Sequence, residues 1–228
     1  MNKVSKIFHI SDIHIRNFKR HSEYRRVFNK LYDYIEKNKD EDSIIYLGGD
    51  IVHSKNEITP ELIELTSSFL NKCASILPTV LIAGNHDANL ANASRLDTLT
   101  AIVKTVDNPN LHYYRDSGVY DFRNIKFSVF SVFGDESEWV PASNIKLTDS
   151  FDHKIVLYHG IVNGCRNENG EVMDLPGQEL SIFNGFDYGL LGDIHTCQTL
   201  SNYKIEHKEI DEEELEKYLD KGWEINYE

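Results

Sequence analysis

Long hydrophobic runs are absent from this 228-residue sequence. No apolar run approaches the ~20 residues that a membrane-spanning helix needs. Residues 1–6 are followed by no long apolar core, so the start of the sequence does not have the form of a secretory signal. We therefore predict no membrane association and a cytoplasmic location.

Cysteine is scarce, with only Cys73, Cys165 and Cys197 in the sequence. An odd number of cysteines without zinc-site spacing argues against a disulfide framework and against a structural zinc cluster. Reduced thiols in a cytoplasmic protein are the expected state.

Positive charge is also in short supply, because 24 lysines and arginines accompany 37 acidic residues and leave a net charge of −13. The imbalance is steepest from Glu206 to Glu228, with ten acidic residues and three lysines. An acidic body is a poor match to extended, non-specific duplex binding, but it suits a site that collects divalent cations. One dense basic cluster stands apart, and it consists of Arg16, Lys19, Arg20, Arg25, Arg26 and Lys30.

Strand and helix patterns alternate in the first half of the sequence. Apolar runs predict strands at 6–11, 43–48 and 79–83, and helical spacing predicts helices from Ser22, from Thr59 and over 93–106. Later strands are predicted at 118–122, 126–132, 154–158 and 187–191, the first two forming a hairpin. This order predicts an α/β fold with either one mixed sheet or two packed sheets, flanked by helices.

Five predicted strands end in residues that bind hard divalent cations. The strand ends carry Asp12 and His14, then Asp50, then Asn85 with His86 and Asp87, then His159, and last Asp193 and His195. In open α/β sheets the functional crevice lies at the carboxyl ends of the strands, so we expect one shared site. Because residues two apart in a strand point to the same side, Asp12 with His14, and Asp193 with His195, are expected to face one ion pair.

The ordered set Asp-x-His, Gly-Gly-Asp, Gly-Asn-His-Asp, His-Gly and Gly-x-x-His resembles the calcineurin-like metallophosphoesterase superfamily, from about Ile7 to His195. The resemblance implies an enzyme that hydrolyses phosphoester bonds. It also implies a four-layer α/β/β/α sandwich with two central mixed sheets and two divalent metal ions. Manganese is the expected ion, with magnesium, nickel and zinc as alternatives.

The same resemblance implies a role for each motif residue. The first ion would be held by Asp12, His14, Asp50 and His195, and the second by Asp50, Asn85, His159 and Asp193, with Asp50 as the bridge. His86 would stabilise the phosphate or donate a proton to the leaving oxygen, and Asp87 would orient His86. Many members have Gly-His-x-His where this sequence has Gly-Asp193-Ile194-His195. Asp193 is therefore either a harder ligand that favours manganese or magnesium, or a residue that orients a neighbouring ligand.

Within the superfamily, the sequence resembles the SbcD-type nuclease subunit of double-strand-break repair and its phage-encoded recombination-endonuclease relatives. Three features carry this resemblance: the segment from Phe8 to Arg16 with the basic helix start after it, the histidine three residues after Asp50, and the motif from Leu191 to Gln198. It implies DNA as the substrate, with His53 placing a DNA strand or supporting a neighbouring ligand. Arg16, Lys19 and Arg20 either contact phosphates or form a solvated helix face.

The domain prediction is a nuclease core at 1–200 and an acidic tail with a short helix at 201–228. In SbcD-type nucleases the core is usually followed by a capping domain that reads DNA and by a helical segment that binds a coiled-coil ATPase of the SbcC type. The tail at 201–228 is too short for either, so the ATPase is an expected partner whose usual binding segment is missing from this sequence. A homodimer is a further partner expectation. Two other functions stay open: a small-substrate phosphoesterase acting on nucleotides, cyclic nucleotides or a phosphoprotein, and a non-catalytic interaction module derived from a nuclease.

Overall fold

The computed structural model describes residues 3–54, 58–88, 90, 95–167, 169–173 and 177–200. The predicted acidic tail at 201–228 lies outside them, so the domain division stays a prediction. No helix among the described residues is both long and apolar enough to cross a bilayer.

Eight strands and three α-helices make up the regular structure of the described residues. The strands are β1 (Lys6–Ile10), β2 (Ser43–Leu47), β3 (Thr79–Leu81), β4 (Leu111–Tyr113), β5 (Gly118–Phe122), β6 (Ile125–Phe130), β7 (His153–His159) and β8 (Tyr188–Gly192). The helices are α1 (His21–Asn38), α2 (Pro60–Ile76) and α3 (Thr98–Val106). Short 3-10 helices lie at Glu136–Glu138, Ala142–Asn144 and Leu180–Phe183.

The strands form two four-stranded sheets, ordered β1-β2-β3-β4 and β5-β6-β7-β8. In the second sheet β5 is antiparallel to β6 and the other pairs are parallel, so this sheet is mixed as predicted. The first sheet is parallel in every pair, and the prediction of a mixed sheet is wrong there. The reason is that α1, α2 and α3 each carry the chain back across the sheet, which is the crossover that parallel strands need.

Alternating residues of β2 show how the layers pack. Ile45 and Leu47 lie in the cluster that contacts α1, α2 and α3, whereas Ile44 and Tyr46 lie in the cluster between the two sheets. All five residues of β2 are buried, as expected for a parallel strand covered on both faces. The predicted sandwich with two packed central sheets is therefore confirmed.

The outer cover of the second sheet differs from the prediction of a helical layer. Phe130, Val156 and Tyr158 face outward from this sheet and pack against Trp139 and Phe183. The Trp139 ring stacks on Phe130 with centroids 4.7 Å apart. Loops and 3-10 helices supply this cover in the described part of the chain, since its α-helices all belong to the first sheet.

Element boundaries follow the local signals where those signals are strong. Thr59 caps α2 by accepting a hydrogen bond from the Leu62 amide at 3.3 Å, with Pro60 as the first helical residue, as predicted. The helix predicted over 93–106 begins only at Thr98, because Asp97 caps it by accepting from the Thr100 amide at 2.7 Å. The sequence pattern missed β4, whose three residues are too few to show a period.

Candidate metal centre

The predicted ligands lie just beyond the carboxyl ends of β1, β2, β3 and β8 and at the last residue of β7. Asp50 is at the middle of the group. Its Oδ1 lies 3.4 Å from His159 Nε2 and its Oδ2 lies 3.6 Å from His14 Nε2. His195 Nε2 lies 3.9 Å from Asp12 Oδ1. One carboxylate thus faces an imidazole of the first sheet on one side and an imidazole of the second sheet on the other.

Left-handed backbone conformations, not strand alternation, direct these side chains. Asp12, His14, Asp50 and Asp193 have φ angles of 57°, 51°, 51° and 70°. The expectation that each Asp-x-His pair shares one face of a strand is therefore wrong, because β1 ends at Ile10 and β8 ends at Gly192. Such conformations are uncommon for non-glycine residues and cluster at functional sites.

Two glycines allow the strand ends to approach this closely. A Cβ atom at Gly84 would lie 2.1 Å from Asp50 Oδ1, and a Cβ atom at Gly192 would lie 2.4 Å from His159 Nδ1. Any side chain at either position would push the ligands apart, so these positions require glycine.

The ligand atoms form two overlapping groups. Asp12, His14 and His195 form one group, and Asp12, Asp50, His159 and Asp193 form the other; within each group the ligand atoms lie within 4.8 Å of one another. The sequence singled out Asp50 as the bridging residue. The structure adds Asp12, which belongs to both groups.

Several buried polar atoms at this point have no hydrogen-bond partner among the described residues. They are His14 Nε2, Asp50 Oδ2, Asn85 Oδ1 and His159 Nε2. His159 Nδ1 lies 2.7 Å from the Gly48 carbonyl, which can only accept, so Nδ1 carries a proton and Nε2 is the nitrogen that faces Asp50. Buried polar atoms normally form hydrogen bonds, so these four unpaired atoms are consistent with side chains that bind cations.

The electrostatics of the site also favour a cation. Burial lowers the pKa of His159, but the Asp50 carboxylate more than offsets this and raises that pKa to about 9. Burial raises the pKa of Asp193, and the carboxylates of Asp50 and Asp12 raise it further. Burial lowers the pKa of His14, which keeps this imidazole neutral and able to bind an ion. Crowded carboxylates thus make the site attractive to positive charge.

The model of the calcineurin-like phosphoesterases matches residues 5–222. The chain belongs to the calcineurin-like phosphoesterase family. It is also 41% identical over 210 residues to an uncharacterized protein of Acanthamoeba polyphaga mimivirus. That alignment covers 89% of this chain and 15% of the viral protein, so the chain corresponds to a small part of that relative.

Membership of the calcineurin-like phosphoesterase family indicates metal-dependent hydrolysis of phosphoesters with two divalent ions, and the described residues fit this pair. The ions would be held at the two groups described above, which share Asp12. Carboxylate, amide and imidazole groups are the ligands expected for such ions.

Two imidazoles, those of His53 and His86, border the ligand His14, and the three rings form a further group of possible ligand atoms within 4.8 Å of one another. The rings of His53 and His86 are stacked with centroids 5.4 Å apart, and His14 lies edge-on to His86 at 4.8 Å. His86 Nδ1 donates to the His53 carbonyl at 2.8 Å, and the His86 amide donates to Asp50 Oδ1 at 2.8 Å. Both contacts fix the His86 ring beside the ligands and leave Nε2 for chemistry.

Asp87 makes contacts other than those predicted. Its Oδ1 accepts from the Val52 amide at 2.9 Å, and its Oδ2 accepts from the amides of Gly84 at 2.9 Å and Ile51 at 3.3 Å. Asp87 therefore does not orient the His86 ring, because that ring is held by the backbone carbonyl of His53. Burial raises the pKa of Asp87 to about 7, against the lowering effect of the amides. Asp87 ties the loop after β2 to the loop after β3.

The predicted substrate-contacting cations divide into two kinds. Arg20 is paired with Glu23 at 2.6 Å, and Arg25 is paired with Glu64. Arg16 and Lys19 are exposed and form no ion pair with the described residues. Arg16 also contributes, after burial, to a lowered pKa of His53, so its charge lies near that ring. Arg16 and Lys19 therefore remain available to a ligand on the segment that follows His14, whereas Arg20 and Arg25 are paired.

A cleft of about 1200 Å³ opens from the ligands and was missed by the sequence analysis. Asp12, His14 and His195 line one end, and Phe183 and Tyr188 line the wall. Its described lining contains no lysine or arginine. The aromatic spacing at 183–188 was the available signal, but only the folded chain places it beside the ligands.

Replacing Asp50 by alanine should empty the site. The substitution removes the carboxylate that faces both His14 and His159, so neither ion keeps its full ligand set. Metal analysis after equilibration with manganese should show loss of both ions, with circular dichroism to confirm folding. Asp33→Ala, an exposed position on α1, is the matched control. Unchanged metal content in Asp50→Ala would contradict the bridging role.

Asp87→Asn should destabilise the fold rather than act only on catalysis. An amide side chain cannot accept from three backbone amides, and its own N–H groups would face donors. We expect a loss of about 1–3 kcal/mol in the free energy of unfolding, from leaving buried backbone amides without an acceptor. Because the pKa of Asp87 is raised to about 7, its ionised carboxylate lowers stability most above that pH, so urea unfolding with a chelator at pH 6 measures the loss while the folded carboxyl is largely protonated. Normal stability combined with low turnover would instead support the predicted role in orienting His86.

Proposed function

We propose that this chain is a manganese-dependent DNA nuclease of the recombination and repair type. The observation that carries this proposal is the placement of Arg16, His53 and His86 along one side of a two-ion phosphoesterase site. The Arg16 cation acts on His53, and the His53 ring stacks on His86. A phosphodiester with a charged chain on either side would use such a row of groups, whereas a phosphomonoester ends at the metal site.

The ligand set defines where the reacting phosphate would lie. When bound, the two ions would activate a water and neutralise charge on the phosphate. Asp50 holds the two halves of the site in register because its oxygens face His14 and His159. His159 is fixed by the Gly48 carbonyl, so its Nε2 is presented without further rearrangement.

His86 is the residue that we assign to proton transfer. Its Nδ1–H is committed to the His53 carbonyl, so Nε2 is the atom that can carry a proton to the leaving oxygen. The His86 side chain is positioned for this role without an ion. Its ring donates a hydrogen bond to the His53 carbonyl, and its backbone amide donates one to Asp50. General-acid assistance of this kind is worth about 10²–10⁴ in rate.

Manganese is the proposed ion because oxygen ligands dominate the second group. Asp12, Asp50 and Asp193 contribute carboxylates there, and His159 contributes the imidazole. Hard oxygen donors favour manganese and magnesium, and the imidazoles shift the balance toward manganese.

A small-substrate phosphoesterase is the second candidate, favoured by the cleft. Its lining lacks lysine and arginine and includes aromatic residues such as Phe183 and Tyr188. Such walls suit a compact, partly apolar substrate more than a polyanion. The non-catalytic module is disfavoured, because ligand atoms of Asp12, Asp50, His159 and Asp193 lie within 4.8 Å of one another.

A side-by-side assay separates the two candidates. The protein is incubated with manganese and either labelled single-stranded DNA, labelled double-stranded DNA or bis(4-nitrophenyl) phosphate. We expect cleavage of DNA as well as of the small diester. Hydrolysis of the small diester without any cleavage of DNA would contradict the nuclease proposal and favour the second candidate.

His86→Ala should keep both ions and lose turnover. The substitution removes only the imidazole, while the backbone amide that binds Asp50 remains. We expect kcat to fall by about 10²–10⁴-fold with the manganese content unchanged. Single-turnover kinetics and metal analysis on the same preparation measure both quantities. Loss of the ions in this variant would show that His86 is itself a ligand.

A further inference from the structure

Phe18 is a solvent-exposed aromatic residue on the segment that follows the metal-ligand candidate His14. It is 75% exposed and lies four residues after His14. Single exposed apolar side chains are ordinary on protein surfaces, so exposure alone means little. The way in which the backbone presents this ring is what distinguishes it.

The segment that carries Phe18 is anchored from three directions. Ile15 forms a parallel bridge with Val52, and its carbonyl accepts from the His53 amide at 2.9 Å. The His21 ring lies 2.6 Å from the Arg16 carbonyl, and the Thr59 hydroxyl donates to the Asn17 carbonyl at 3.3 Å. The two residues directly before Phe18 are thus held in place, and the ring projects from a fixed support rather than from a frayed loop.

The neighbours of Phe18 are cations that the fold leaves available. Arg16 and Lys19 are exposed and form no ion pair with the described residues, in contrast to Arg20 and its partner Glu23. The sequence order is therefore cation, aromatic, cation. The Ile15 carbonyl, which accepts from the His53 amide at 2.9 Å, connects this row to the metal centre.

We propose that Phe18 is a stacking platform for one base of single-stranded DNA, with Arg16 and Lys19 contacting the flanking phosphates. This inference rests on the proposed nuclease function and names its substrate class. A positively charged track with an aromatic side chain on which a base stacks is the general design of single-strand binding surfaces. The strand would run from Phe18 past His53 to the ions.

An unpaired base is required by the geometry of the platform. Inside a duplex both faces of each base are covered by its neighbours, so away from the ends an aromatic ring can stack only on a base that is unpaired or splayed out. The net charge of −13 further disfavours a long duplex footprint, because only a short cationic segment is available to it. The platform therefore selects a strand end or a single-stranded segment.

Binding of a fluorescent oligonucleotide tests the platform directly. The probe is a short single-stranded oligonucleotide with 2-aminopurine, bound by the manganese-loaded protein in a His86→Ala background so that cleavage is slow. Adding Phe18→Ala should weaken binding by about 5- to 100-fold and remove quenching of the probe. Phe18→Trp should restore both. Matched double-stranded probe should be affected less than twofold.

Tyr34→Ala is the matched control, since Tyr34 is an aromatic residue 56% exposed on α1. It lies about 20 Å along the helix from His21, at 1.5 Å per residue. This variant should bind the oligonucleotide as the parent does. Manganese content and melting temperature are measured for Phe18→Ala as well. Both should be unchanged, which would show that the loss of binding is not caused by loss of the fold.

The outcomes separate this inference from the proposed function. The platform is overturned if Phe18→Ala binds the single-stranded oligonucleotide as tightly as its parent does. It is also overturned if Phe18→Ala weakens binding of duplex and single-stranded DNA equally, even if the protein cleaves DNA. Absence of binding by the parent overturns it as well. If the wild-type protein hydrolyses only the small diester, the nuclease proposal fails, yet Phe18-dependent binding of the single strand would still support the platform.

Discussion

The buried carboxylate of Asp50 is the constraint on which the rest of the site depends. Its side chain is 1% exposed, and an unpaired charge at such a depth costs several kcal/mol. Its neighbours come from both sheets: His159 from the second sheet, and His14 with the His86 amide from the first. The two sheets must therefore meet at this end in one register, and a cation pair would supply the charge that the imidazoles only partly provide.

Meeting this constraint distorts the chain at the strand ends. Asp12, His14, Asp50 and Asp193 all adopt left-handed backbone conformations, each of which costs about 1–3 kcal/mol in a non-glycine residue. The compensating interactions are specific. Asp87 accepts three backbone amides from the loops after β2 and β3 and so fixes the distorted segment at Asp50 against the loop after β3. Strain at the ligands and the hydrogen bonds of Asp87 are thus parts of one arrangement.

Sequence reasoning reached the ligand types and the order of strands and helices because both depend on local patterns, whereas the sandwich was implied by the resemblance to the calcineurin-like family. The order of polar residues after apolar runs identified the strand ends, and Thr59-Pro60 marked the start of α2. Features that depend on contacts between residues far apart in the chain could not be predicted from the sequence. The carboxylate of Asp87 binds amides about 35 residues away, so its sequence position beside His86 suggested the wrong partner. The membership of Asp12 in both ligand groups, and the pairing of β4, likewise appear only when the strands are assembled.

The distribution of charge around the site explains how an acidic protein could accept a polyanion. Screening at physiological salt limits exposed charges to a range of about 8 Å, so the distant acidic residues act weakly at the metal centre. Nearby, carboxylates neutralise Arg20 and Arg25 but leave Arg16 and Lys19 available. A ligand that contacts only this short row and the ions meets net attraction. A longer footprint would extend onto acidic surface and meet repulsion. On the proposed function, the charge pattern therefore restricts the substrate to a short strand segment, which agrees with a single aromatic platform at Phe18.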